Sequence, residues 1–218
     1  MLLTVPLQRF SALSNSRFVE HGFILRIPGL DVQTDRESAL RRLESYHREQ
    51  LAAIGNQSLK LAEQIHGNAV ATIDGGSPAK TQAVDGLITA DPRVVLGIYV
   101  ADCCAIFLAD PMRQVVGLLH SGKKGTEKNI VAAAMQKFRS DFHSEPQDLI
   151  AVLSPCIRPP YYEIDFAQSI VAQLRAENVH KIYDGGENTG SDLNRFYSYR
   201  MERGRTGRMF AYLALKGN

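Results

Sequence analysis

Long apolar runs are missing from this sequence. No stretch approaches the ~20 consecutive apolar residues that a helix needs to span a bilayer. The opening segment MLLTVPLQRFSALSNSRF meets Pro6, Gln8 and Arg9 before it can form the apolar core of a signal peptide. Cysteine is also scarce. There are three in 218 residues, an odd number with Cys103 and Cys104 adjacent, which is a poor disulfide framework and favours a reducing compartment. Net charge is small: 25 Lys and Arg against 23 Asp and Glu leave +2, too little to mark a partner of nucleic acid or of a membrane surface. Neither the GxGxxG pattern nor the full phosphate-binding GxxxxGK[ST] pattern occurs, which gives no support to the usual nucleotide-binding folds. The expectation is a soluble cytoplasmic protein with a small-molecule partner. Tryptophan is absent altogether.

What is present is an ordinary globular composition, 44% hydrophobic and 22% charged, in a chain long enough to bury a core as one domain spanning 1–218. The stretch 94–125 organises it. VVLGIYV, CAIFLA and VVGLLH are continuous apolar runs, as expected for strands buried on both faces. Around them, FVEHGFILRI reads as a strand, and Thr34 with Glu37 has the capping-box pattern that opens a helix ending near Gly55. LKLAEQIHGNAVATI reads as strand, turn, strand, and Asp85-Gly86 opens a short strand. One helix is expected from about Thr126 to Phe142, then a strand over 148–157, a helix over FAQSIVAQLRAEN, and two final strands, FYSYR and MFAYLAL. Strands and helices mix without strict alternation, and hairpins dominate the middle. That favours an α+β domain with a mixed sheet.

The chemistry-bearing residues fall where apolar runs stop. Ala101-Asp102-Cys103 ends one run, His120 ends another, and His66 sits in a turn upstream. Cys103 as thiolate with neutral His66 and His120 would give Zn²⁺ three protein ligands and leave a position for water, whose pKa falls towards about 7. Asp102 could serve beside it as general acid or base, although neighbours in a regular strand point to opposite faces, so the strand must end or bulge there. By spacing alone these residues match no local zinc pattern. The same Cys103 and His120 could act without metal as the nucleophile and base of a thiol hydrolase. A third possibility is a non-catalytic binding protein that uses the basic cluster of Arg200, Arg203, Arg205 and Arg208. Gly122 and Gly125 let backbone pass close to the end of the His120 strand, and Lys123 and Lys124 could add charge for an anion.

Taken together and in order, Gln64-Ile65-His66-Gly67, Val84-Asp85-Gly86, Ala101-Asp102-Cys103, His120-Ser121-Gly122 with Gly125, Tyr162-Glu163, and Ser198-Tyr199-Arg200 with Thr206-Gly207-Arg208 resemble the laccase-domain, or YfiH-like, family. His21-Gly22-Phe23 followed by Arg26 resembles its N-terminal motif, so the resemblance runs from about residue 19 to 215. It implies a single αββα sandwich domain with mixed sheets and a zinc site at His66, Cys103 and His120. It also implies action on purine nucleosides: phosphorolysis of adenosine, inosine, guanosine or methylthioadenosine, a transferase reaction, and deamination of adenosine, a hydrolase reaction. Some bacterial members are assigned instead to editing of peptidoglycan precursors. Within that reading Asp102 moves protons, and Lys123, Lys124, Arg200 and Arg208 are the candidates for binding phosphate. Copper is the poorer candidate, because a laccase needs several copper centres and three of the six histidines lie outside any motif. Two departures stand out: Gly122-Lys123-Lys124-Gly125 where the family usually has Gly-Trp-Arg-Gly, and Asn188-Thr189 where it commonly has Cys-Thr.

Overall fold

The computed structural model describes residues 5–55 and 57–217. The N-terminal segment read above for a signal peptide falls partly on residues 1–4, outside the described residues. Among the described residues no helix is long and apolar enough to cross a membrane.

Two six-stranded mixed sheets face each other. The first runs β1 (Leu7–Gln8), β2 (Val19–Ile24), β12 (Met209–Leu215), β7 (Val94–Val100), β3 (Ser58–Ala62) and β5 (Lys80–Thr81). The second runs β11 (Lys181–Asp184), β10 (Ile150–Leu153), β8 (Cys104–Asp110), β9 (Val115–Ser121), β6 (Gly86–Thr89) and β4 (Val70–Thr72). The apolar runs are buried on both faces for a simple reason: one face meets the other sheet and the second meets a helix. Phe23, Leu96, Phe107, Leu118 and Leu213 share the core that includes the space between the sheets. Helix α2 (Arg36–Ala52) covers the outside of the first sheet, where His47 packs against the adjoining rings of Tyr99 and Phe210. Helices α4 (Ile130–Phe142) and α5 (Phe166–Ala176) bury Ile130, Met135, Phe138, Ile170 and Leu174 against the second. A four-residue helix, α1 (Ser11–Ser14), packs near β2 and β10, and α3 (Lys123–Glu127) follows β9. The expected α+β sandwich with mixed sheets is therefore present.

Several expected elements differ in detail. The first long helix begins at Arg36 rather than Thr34, because the Asp35 carboxylate, and not the Thr34 hydroxyl, accepts from the Ser38 N–H at 3.0 Å. The helix expected over 126–142 is two, because Asn129 turns into the left-handed region (φ 55°) and caps α4 by accepting from Ala132 N–H. FYSYR is not a strand: Arg26 donates to the Phe196 carbonyl and pairs with Glu202 at 2.6 Å, and Tyr197 accepts from Ile27 N–H, so side chains hold this segment. The strand expected over 148–157 covers only 150–153. The central runs VVLGIYV and CAIFLA form no hairpin; β7 and β8 lie in different sheets, and the Asp102 corner carries the chain from one to the other. LKLAEQIHGNAVATI likewise crosses between sheets at His66.

Candidate functional site

Both crossings lie at the same end of the sandwich, and this places the chemistry. The turn after β3 carries Gln64 and His66 at φ 63° and 61°, and the corner after β7 carries Asp102 at φ 81°. Left-handed non-glycine residues cost about 1 kcal/mol or more each and persist only where surroundings fix them. Here they are fixed. The Gln64 amide brackets Tyr99, accepting from its N–H at 3.0 Å and donating to its carbonyl at 2.6 Å. The buried Asp85 carboxylate accepts from the N–H groups of Ile65, His66 and Gly67 at 3.2, 2.9 and 2.7 Å. Asp102 accepts from the Thr189 hydroxyl and from Arg200 N–H, both at 2.7 Å. The corner also removes the strand-alternation objection, since Asp102 and Cys103 line one cleft.

The donor atoms of His66, Cys103 and His120 lie within 4.8 Å of one another, and the rings of His66 and His120 meet edge to face with centroids 4.9 Å apart. His120 Nδ1 is 2.8 Å from Asp85 Oδ1. A carboxylate can only accept, so Nδ1 carries a proton and Nε2 is the nitrogen left to ligate a metal. Asp85 thus orients one histidine through its ring and the other through its backbone. Burial would raise the Cys103 thiol, but His120 and His66 beside it bring it down to about 6. Burial would lower His120, but the Cys103 thiolate and Asp85 push it up to about 9. Thiolate and imidazolium thus stabilise each other, and a metal ion would take the place of the imidazolium's second proton. Two imidazoles and a thiolate, oriented by a carboxylate behind them and open on one side, fit a transition metal. Gly122 is required for this packing, because a Cβ there would lie 2.4 Å from Cys103 Sγ.

The cluster forms one wall of a cleft of about 950 Å³. Every site residue expected from the sequence reaches it: His66, Asp102, Cys103, His120, Lys123, Lys124, Arg200 and Arg208. Their surroundings differ. Arg200 is drawn onto Glu163 and lies over the Tyr162 ring at 4.9 Å. Arg208 is buried, donating to the Thr206 and Gly207 carbonyls, with its guanidinium 5.7 Å from the Tyr199 ring centroid. Burial raises the Asp102 carboxyl above its ordinary range, against the pull of its hydrogen bonds. The aromatic rings of Tyr99, Tyr162, Phe166 and Tyr199 also line the cleft. Sequence reasoning assigned no role to Asp85, although its Val-Asp-Gly motif was visible, nor to Arg36, the first residue of α2, which nothing in the sequence marks. Arg205, by contrast, is not among the lining residues and donates to the Gln33 carbonyl.

A family model described as multi-copper polyphenol oxidoreductase laccase matches residues 29–168 and 162–216. The chain belongs to this laccase family. Among curated relatives, the family includes purine nucleoside phosphorylase YlmD of Bacillus subtilis, 30% identical over 212 residues covering 78% of this chain and 76% of that protein. A purine nucleoside phosphorylase of Deinococcus radiodurans is 29% identical over 232 residues, covering 90% and 89%. Among solved structures, YlmD from Geobacillus stearothermophilus superposes with a TM-score of 0.84 at 22% identity, over 98% of this chain and 100% of that one. YfiH from Bacillus licheniformis does so with a TM-score of 0.77 at 23% identity, over 91% and 93%. The laccase family's name speaks of several coppers. Among the described residues, His66, Cys103 and His120 form the single group of three or more potential metal ligands.

Proposed function

We propose that this laccase-family chain cleaves purine nucleosides by phosphorolysis, with zinc held by His66, Cys103 and His120, and that it deaminates adenosine at the same centre. The observation that carries the reading is a His–Cys–His cluster opening into a cleft with aromatic walls and a surplus of cations. The names of the YlmD and Deinococcus relatives supply the substrate class. Zinc suits a single three-ligand centre with an open side, where it would supply Lewis acidity without redox chemistry.

The protein's own groups do the rest. Tyr99, Tyr162, Phe166 and Tyr199 present ring faces and edges to a purine. Lys123 and Lys124 attract phosphate and neutralise it beside the sugar, Arg208 adds positive charge to the same cleft, and Arg200, held by Glu163 and Tyr162, fixes the rim. Asp102, raised by burial and within the cleft wall, passes a proton to the departing purine in phosphorolysis, or to departing ammonia in deamination. A second reading draws on the lowered Cys103 thiol beside His120: a metal-independent thiol hydrolase.

Incubating adenosine, inosine and methylthioadenosine with the purified protein, with and without phosphate and beside Cys103→Ala, separates them by mass spectrometry. Free base that appears only with phosphate, or inosine formed from adenosine, both absent in the variant, supports the reading. No turnover by zinc-replete protein would sink it.

A further inference from the structure

The cleft holds more positive charge than one phosphate nucleophile calls for. Of its six Arg and Lys residues, Arg200 alone is paired with a carboxylate. Arg36, Lys123, Lys124, Arg203 and Arg208 make no ion pair among the described residues. These five come from two sides of the sandwich. Lys123 and Lys124 follow β9 of the second sheet, next to Gly122 and the Cys103 thiol. Arg36 begins the helix that covers the first sheet, and Arg203 and Arg208 lie in the segment that leads into β12 of that sheet. Arg36, Arg203 and Arg208 line the same cleft, with Arg208 buried and anchored on the Thr206 and Gly207 carbonyls. Guanidinium groups that carry no carboxylate partner and share a cleft favour a dianion there, with planar forks suited to phosphate oxygens. A volume of about 950 Å³ is at the upper end of small-molecule sites, with room for a substrate and a separate phosphate.

Resting on the purine reading above, we propose that Arg36, Arg203 and Arg208 form a second anion position that binds a phosphate ester carried by the substrate itself, so that purine nucleoside monophosphates are cleaved in preference to nucleosides. The step balances without a further reactant. An oxygen of inorganic phosphate, drawn in by Lys123 and Lys124, bonds to the anomeric carbon as the glycosidic bond breaks. The purine leaves with the bonding pair and takes one proton. The products are free base and a ribose bisphosphate.

The test compares kcat/KM for AMP against adenosine and for IMP against inosine, at fixed inorganic phosphate, in the wild type and in the double variant Arg36→Ala, Arg203→Ala. The expected result is a preference for the monophosphates of roughly ten-fold or more, the scale of one or two charge-assisted hydrogen bonds, and collapse of that ratio in the double variant. Turnover of nucleosides with monophosphates neither cleaved nor competing would overturn this inference and leave the purine reading standing. A preference for AMP that survives the double variant would overturn the placement at these arginines. Release of base from neither class would bring down the purine reading and this one with it.

Discussion

Asp85 is the residue on which the candidate centre turns. Its two oxygens take three backbone N–H groups and His120 Nδ1, so one fully buried side chain sets both histidines. Asp85→Asn replaces an acceptor by a donor facing N–H groups. Removal of such a supporting carboxylate costs on the order of 10–100-fold in metal affinity, so zinc bound after dialysis against a competing chelator is expected to fall by that factor. Retention of wild-type affinity would contradict the assignment. Gly122→Ala places a methyl against Cys103 Sγ and is expected to lower zinc content and activity together, while thermal stability changes by about 1–3 kcal/mol. His47 is a different case. Neither ring nitrogen has a partner, it is buried against Tyr99 and Phe210, and burial lowers it to about 4. The unfolded chain takes up the His47 proton from about pH 6.5 downward and the folded one only near pH 4. Its contribution is complete above pH 6.5 and is lost as pH falls towards 4, about 2 kcal/mol of it between pH 7 and pH 5. Urea denaturation at those two pH values should show this drop shrinking in His47→Leu; an unchanged drop would place the acid sensitivity elsewhere, with His21 the next candidate.

At the scale of elements, what could be read from the sequence was whatever depended on local pattern. The three apolar runs of residues 94–120 became β7, β8 and β9 because continuous burial needs only continuous apolar side chains. Elements that depend on distant partners were read wrongly or missed. The FYSYR segment has the alternation of a strand, but Arg26, Asp102 and Glu202 take its polar groups and fold it over the cleft. Strand β11 (KIYD) has no apolar run at all and exists because β10 offers it an edge. Asn129 looked like one more residue of a long helix, yet its left-handed backbone separates α3 from α4. Asn129→Ala loses the cap and strains the backbone, and should lower stability by about 2 kcal/mol. Asn129→Gly, which relieves the strain, should cost less. Equal losses in thermal melts of the two variants would show that the left-handed turn is not the determinant.

Over the whole molecule, two sheets exchange the chain at one end, and those crossings gather His66, Asp102 and Cys103 beside His120, residues that are far apart in sequence. Their residue types and their position at the ends of apolar runs made them candidates, and the order of short motifs suggested the family. The spacing could not, because the cluster is a product of the crossings and of Asp85 behind them. Charge shows the same divide. A net charge of +2 gives no hint of a cleft lined by six Arg and Lys residues, because the surplus is local and acids elsewhere balance it. The measurement that bears most directly on the account is zinc stoichiometry set against phosphate-dependent release of hypoxanthine from inosine, during stepwise chelation and zinc return, in the wild type and in His66→Ala, Cys103→Ala and His120→Ala. The account predicts about one zinc per chain in the wild type, little in any variant, and activity that falls and recovers in proportion to zinc. Full activity in metal-free protein, abolished instead by alkylation of Cys103, would contradict it and assign the cleft to thiol chemistry.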